Sequence, residues 1–175
     1  MKIAVCASLA GLAAIVCACS PTTPAANDSA ATKVTASSSN GDANVAVLTA
    51  YVDAWNRRDT VAIDSLLGPG GIHDDLSWGL HGVGPAQVNG FMRNVLKTQP
   101  DYKWTISSTF ADGPHVAAEW TWKGTYSGQS PAGMLKNVPT AGRGVAIVDI
   151  ENGKIKQFTD YYDAASFFPK DSTRK

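Results

Sequence analysis

The apolar positions of the chain follow a helical period first and a strand period later. Val45, Leu48, Val52 and Trp55 recur every three or four residues, which predicts an amphipathic helix that Asp42 or Asn44 can cap. A short second helix is predicted after Asp59, and a third from Pro85 to about Lys97, with proline in its first turn. The segment between them, IHDDLSWGLHGVGP, has no clear period and is predicted to be a loop.

Downstream of the third helix, large apolar residues alternate with polar ones. Tyr102, Trp104 and Ile106 mark one predicted strand, and a second follows with Val116, Ala118, Trp120 and Trp122 on one face. The stretch GTYSGQSPAGMLKNVPTAGR is predicted to be a long turn-rich connection or a broken hairpin. Helices followed by strands indicate an α+β domain, with about three N-terminal helices packed on a curved antiparallel sheet.

Asn152 and Gly153 predict a two-residue type I′ turn joining the last two strands. Counting outward without a bulge, Val145 faces Asp160, and Arg143 lies diagonally within reach of that carboxylate. The opposite face then carries an apolar patch that could mediate a homodimer, made of Ala146, Val148, Ile150 and Ile155. Asp163 and Glu119 are expected to face solvent, or in the case of Asp163 to cap the strand end.

The N-terminal segment has the composition of an export signal. Residues 1–18 carry one lysine and an apolar run too short to cross a bilayer, and VCAC resembles a bacterial lipobox that would lipidate Cys19. Residues 19–41 are predicted to be a flexible tether, 42–168 the folded domain and 169–175 a polar tail. The expected location is therefore a membrane-anchored lipoprotein on the periplasmic side or the cell surface. Ordinary signal cleavage near Cys19 is the alternative.

Charge and ligand spacing exclude several classes of partner. The chain has 15 basic and 15 acidic side chains and no basic cluster, so we expect no nucleic-acid partner. All three cysteines lie in the first 19 residues, which leaves no thiol or disulfide in the domain. His73 and Asp75 lack a third ligand at suitable spacing, and His81 and His115 share no frame with them, so no metal or other cofactor is expected.

The ordered set YVDAWNRRDTVAIDSLL, GLHGVGPAQVNGF, AAEWTWKGTYSG, PTAGRG and ENGKIKQFTDYYD resembles the SnoaL-like branch of the NTF2-like superfamily. That branch is similar to polyketide cyclases, ketosteroid isomerases and limonene-epoxide hydrolases. The resemblance implies an NTF2-like cone with a pocket, and Asp160 matches the catalytic Asp that precedes Tyr in the hydrolases' final strand. Their Arg-X-Asp pair is replaced here by Trp120-Thr121-Trp122, so epoxide hydrolysis is not expected.

These residues define two hypotheses. In the first, a small apolar carbonyl compound undergoes cofactor-free isomerisation or cyclisation, with Asp160 as acid/base and Arg143 and His73 as polar partners. The predicted pocket wall comprises Trp104, Trp120, Trp122, Phe158, Tyr162 and Trp78. In the second, the same pocket binds a ligand without chemistry. Residue by residue, the structural alternatives are an Arg143–Asp160 ion pair and tryptophans that only pack the core.

Overall fold

The computed structural model describes residues 38–130 and 133–167, except the side chains of residues 38, 39 and 166. The predictions for the signal segment, for Cys19, for most of the tether and for the tail lie outside the described residues. Within the two described ranges, no helix is both long and apolar enough to cross a membrane.

Three helices form where the helical period predicts them. They are α1 (Ser38–Arg57), α2 (Thr60–Leu67) and α3 (Gly84–Thr98). Helix α1 begins four residues before Asp42 and buries Leu48, Tyr51, Val52 and Trp55 against the sheet. Asp59 caps α2 as predicted, because its carboxylate accepts the backbone N–H of Ala62 at 3.0 Å.

The sheet has six strands and is mixed rather than antiparallel. Its strands are β1 (Ile72–Asp75), β2 (Leu80–Val83), β3 (Lys103–Asp112), β4 (His115–Ser130), β5 (Gly133–Glu151) and β6 (Lys154–Tyr162), in the order β2-β1-β6-β5-β4-β3. A short 3₁₀ helix, Ala164–Phe167, follows. The α+β class is confirmed. The purely antiparallel sheet is wrong, because β1 pairs in parallel with β6.

Strands β1 and β2 replace the loop predicted between α2 and α3. Each has only four residues, too few to show a period in the sequence. Long-range pairing with β6 stabilises β1, setting His73 beside Phe158 and Asp75 beside Asp160. The turn-rich stretch after Lys123 is also strand, since β4 and β5 stay paired as far as Ser130 and Gly133.

A β-bulge in β6 changes which residues share a face. Asn152 and Gly153 form the predicted tight turn, with φ of 52° and 70°, and Ile150 faces Ile155 as predicted. Beyond that pair the register shifts by one residue at Lys156, so that Asp160 faces Ala146. The expectation that Asp160 faces Val145 and shares a face with Arg143 is therefore wrong.

The same shift removes the apolar patch that was expected on the outside. Its four residues lie in the core at 0–2% exposure, and residues of the other face such as Ile147 are exposed instead. A homodimer stays a prediction, but it cannot use that patch.

Two glycines on β5 allow two tryptophans of β4 to lie across it. Trp120 faces Gly144, and Trp122 faces Gly142. A Cβ atom added to Gly144 would lie 2.5 Å from the indole of Trp120 and 2.7 Å from the carbonyl oxygen of Tyr161. The AGRG sequence thus leaves room for large rings on the inner face of the sheet.

Gly144→Ala should therefore displace Trp120. We expect a loss of about 1–3 kcal/mol in the free energy of unfolding, measured by urea denaturation, because the methyl group overpacks a close-packed wall. Gly90→Ala in α3 is the control, since its nearest side-chain atom would be 3.8 Å away. Equal stability of Gly144→Ala and wild type would show that the glycine does not position the ring.

Candidate functional site

A cavity of about 640 Å³ lies between α3, the β1–β2 hairpin and the inner face of the sheet, a size typical of small-molecule pockets. Its wall is largely aromatic, as the sequence predicts: Trp78, Trp104, Trp120, Trp122 and Tyr162 all line it. The lining also includes residues that were not singled out for it, among them Trp55, Asp75, His81, Gln87, Phe91, Asn94, Gln99, Tyr102, Tyr126, Thr140 and Phe167.

Phe158 does not line the cavity, although it was predicted to do so. It is fully buried, and its ring packs 4.5 Å from that of His73 and 5.5 Å from that of Tyr51, measured between centroids. Pairing of β1 beside β6 covers the ring. Phe158 is therefore a core residue.

Asp160 and His73 meet at the inner end of the cavity. Parallel pairing of β1 with β6 puts both side chains on the inner face, where each is at most 5% exposed. His73 Nε2 lies 3.3 Å from Asp160 Oδ2, and His73 Nδ1 lies 2.9 Å from the hydroxyl of Tyr51. Only the tertiary structure brings these three residues together.

The network assigns the proton positions. Burial raises the pKa of Tyr51 far above its usual value, so the phenol keeps its proton and can donate a hydrogen bond to His73 Nδ1. His73 Nε2 then carries the ring proton and donates to Asp160 Oδ2. Tyr51 was not selected from the sequence as a site residue, because its partner His73 lies 22 positions further along the chain.

The second oxygen of Asp160 is left unpaired. Oδ1 is buried and has no hydrogen-bond partner among the described residues. Burial raises the pKa of Asp160 above its ordinary value, and the negative charge of Asp75 acts in the same direction. Hydrogen bonding and charge from His73 oppose this, as does the nearby indole N–H of Trp120, which makes no hydrogen bond of normal geometry.

Asp75 lies beside Asp160 but has its own partners. The hydroxyl of Tyr162 donates to Oδ2, and the backbone N–H groups of Ser77 and Trp78 donate to Oδ1. Burial raises the pKa of Asp75, against the opposing effect of these hydrogen bonds. The sequence signal for this arrangement was the spacing of His73 and Asp75, which lie two positions apart and therefore on one face of a strand.

Tyr102 supplies a donor that sequence reasoning did not select. Its ring stacks on that of Trp122 at 5.6 Å with an interplanar angle of 20°, and it lines the cavity. Its hydroxyl makes no hydrogen bond with the described residues. Burial raises its pKa, and the charges of Asp160 and Asp75 raise it further, so the hydroxyl stays a donor.

Arg143 is excluded from the cavity. It lies on the outer face of β5 opposite Thr121, in a shallow groove that also exposes Lys103 and Lys123. The bulge described above is the physical reason. Glu119 is exposed as predicted, and Asp163 caps the 3₁₀ helix by accepting the N–H of Ala165 at 3.0 Å.

No group of three or more metal-binding side chains occurs in residues 38–130 and 133–167. Among the described residues, the cavity offers an unpaired carboxylate oxygen, the phenol of Tyr102 and a largely aromatic wall, in which the indole N–H groups of Trp55, Trp104 and Trp120 are also unpaired. This combination can hold a small organic molecule and move a proton at one end of it.

Together, the α+β fold and the aromatic cavity with its buried His–Asp pair define a pocket protein, and its fold is the ketosteroid isomerase-like one. The chain belongs to the SnoaL-like polyketide cyclase family, whose model matches residues 45–169. No curated protein sequence matches it.

Solved structures share the fold. A Xanthomonas campestris protein described as a candidate polyketide cyclase is 25% identical, with a TM-score of 0.60 over 71% of this chain and 93% of that one. A similar candidate from Pseudomonas putida is 26% identical, with a TM-score of 0.58 over 70% and 93%. A Catenulispora acidiphila protein of ketosteroid isomerase-like fold, in complex with trimethylamine, is 23% identical, with a TM-score of 0.61 over 69% and 88%.

The raised pKa of Asp160 predicts a pH-dependent stability. In the unfolded chain the carboxyl loses its proton near its ordinary pKa of 3.8, whereas the folded protein holds it to higher pH. The folded state then binds more protons in that window, so its stability falls as pH rises through it. Asp160→Asn should accordingly raise the melting temperature at pH 7 by a few degrees, with the gain vanishing towards pH 4.

The control for this experiment is Asp149→Asn. Asp149 forms an exposed pair with His115 at 2.6 Å, so its loss should not stabilise the protein. A lower melting temperature for Asp160→Asn at pH 7 would contradict the assigned cost of burying the carboxylate.

Proposed function

We propose that this domain catalyses a cofactor-free proton transfer next to a carbonyl group of a small apolar compound, giving isomerisation or intramolecular aldol cyclisation. Membership in the SnoaL-like polyketide cyclase family supports this reaction class. The single observation that carries the proposal is the unpaired, buried Oδ1 of Asp160 in an aromatic cavity. The predicted N-terminal anchor at Cys19 stays a prediction.

Asp160 Oδ1 is the proposed acid/base atom. As a carboxylate it removes a proton from the carbon beside the carbonyl, and the C–H electron pair moves to the carbonyl oxygen to form an enolate. In isomerisation the carboxylic acid returns the proton to another carbon. In cyclisation the enolate carbon attacks a second carbonyl, and the new alkoxide takes up the proton. Both routes end with Asp160 ionised again.

Tyr102 is the proposed donor to the developing oxyanion. Its hydroxyl is unpaired, faces the same cavity and lies within electrostatic range of Asp160. A phenol that does not ionise can stabilise negative charge on oxygen by hydrogen bonding. Stacking on Trp122 and the backbone bond from Tyr102 N–H to Gln99 hold it in place.

His73 positions the acid/base atom. It holds Oδ2 through Nε2, and Tyr51 holds the imidazole through Nδ1, so Oδ1 alone is left for the substrate. Burial of the pair also keeps the carboxylate poorly hydrated, which makes it a stronger base toward a carbon acid.

Removal of the carboxylate should abolish turnover. We expect Asp160→Asn to lower kcat roughly a hundredfold or more on any ketone that wild type converts, since it removes the general base. A panel of steroid-like and polyketide-like ketones in deuterated buffer, followed by mass spectrometry for exchange at the α-carbon, detects the proton transfer directly. Asp149→Asn should react at the wild-type rate. Exchange that is equal in Asp160→Asn and wild type would end the enzymatic proposal.

Tyr102→Phe should lower kcat more than it raises KM. Loss of one donor to an oxyanion costs roughly a hundredfold, because the bond is strongest in the transition state. Tyr161→Phe, which alters an exposed tyrosine of β6, is the matched control. An unchanged kcat in Tyr102→Phe would show that Tyr102 only lines the cavity and that its hydroxyl takes no part in catalysis.

Binding without chemistry is the second candidate. Trp120-Thr121-Trp122 stands where the hydrolases have Arg-X-Asp, and Arg143 lies outside the cavity, so no arginine of the described residues lines it. A structural neighbour held trimethylamine, and another was crystallised with polyporic acid, which favours small-molecule binding by this fold. Tight binding that survives Asp160→Asn, with no exchange in wild type, supports this candidate.

A further inference from the structure

The cavity lining is acidic although the chain is not. The described residues that line it include the carboxylates of Asp75 and Asp160 but no lysine or arginine. The whole chain, by contrast, has equal numbers of basic and acidic side chains. Anionic ligands are disfavoured in such a site, because two buried carboxylates repel them and no cation attracts them.

Asp160 lacks a permanently charged partner. His73 Nε2 lies 3.3 Å from Oδ2, but no lysine or arginine of the described residues lines the cavity to serve as a counter-ion. Oδ1 has no partner among the described residues. Asp75 differs, since three donors satisfy its two oxygens. The unsatisfied acceptor of the two carboxylates is therefore Asp160 Oδ1, and a buried unpaired charge is costly.

Aromatic rings surround this charge. Trp104 lies 5.9 Å from Trp55 and 6.0 Å from Trp120, and Trp120 lies 5.3 Å from Tyr162, all between ring centroids. These four residues line the cavity together with Asp160. Indole and phenol rings bind organic cations through their electron-rich faces while tolerating apolar substituents.

We propose that the preferred ligand of this cavity is an organic cation: a quaternary ammonium or protonated amine on an apolar body, seated beside Asp160 Oδ1. The inference rests on the site of the proposed function and adds the charge of its ligand or substrate. It holds whether or not a reaction follows. The cation supplies the counter-ion that the protein does not.

Binding of the cation is expected to depend on pH. The titratable groups that face Asp160 are His73 and Asp75 from β1, Tyr51 from α1, Tyr102 before β3 and Tyr162 from β6. The tyrosines stay neutral over the working range, since burial raises their pKa values. Cation affinity should therefore increase as pH rises through the ionisation of Asp160, because only the carboxylate attracts the cation.

Benzyltrimethylammonium and neopentylbenzene test the inference, because they have the same shape and differ only in charge. Quenching of tryptophan fluorescence reports binding, because all five tryptophans line the cavity. Four of them are buried, and Trp78 is exposed. At pH 8 the cation should bind roughly tenfold or more tightly than its neutral isostere. Its affinity should fall as pH is lowered towards the ordinary carboxyl pKa of 3.8, while that of the isostere stays constant.

Asp160→Asn should erase the difference between the two probes, and Asp149→Asn should preserve it. The pH series on wild type gives the same answer without relying on a variant. A cation that binds no better than the isostere, or does not bind at all, overturns the inference. If the protein prefers the cation but exchanges no proton at any ketone α-carbon, only the catalytic proposal is contradicted. If it exchanges protons of neutral ketones but does not prefer the cation, only the organic-cation proposal is contradicted.

Discussion

One extra residue in the last strand decides what the cavity contains. Lys156 forms a bulge opposite the step from Asp149 to Ile150, so both Ile155 and Phe158 point inward although three positions separate them. Asp160 follows Phe158 onto the same inner face, beside Ala146. Without the bulge, Asp160 would share a face with Arg143 of β5. An Arg143–Asp160 ion pair would then replace the lone carboxylate.

Burial of that carboxylate couples the proposed function to stability. The protein bears the cost of desolvating Asp160 and offsets it with one hydrogen bond from His73, itself fixed by Tyr51. A solvated carboxylate would destabilise the fold less, but it would be a weaker base and would attract a cation less strongly. Trp120 and Trp122 depend on Gly144 and Gly142, because a Cβ atom at either glycine would occupy the space that the indole ring fills.

Much of the architecture follows from local patterns. Helical spacing found α1 and α3, the side chain of Asp59 marked the start of α2, and Asn152-Gly153 marked the last turn. The strands β1 and β2 were missed because four residues carry no readable period. The pairing of β1 with β6 joins residues more than 80 positions apart, and β2 pairs with β1 alone. His73 and Asp160 were both selected from the sequence, but nothing in it showed that they touch.

By itself, the sequence determined the α+β class, the family resemblance and an acid among aromatic residues in the final strand, since these depend on residue order and local period. Only the tertiary structure decided that Arg143 lies outside and that Phe158 is core. It also decided that His73 and Tyr102 line one cavity with Asp160, with Tyr51 behind His73. The physical reason is that a bulge and a parallel strand pairing depend on long-range hydrogen bonds, and a shift of one residue exchanges the two faces of a strand.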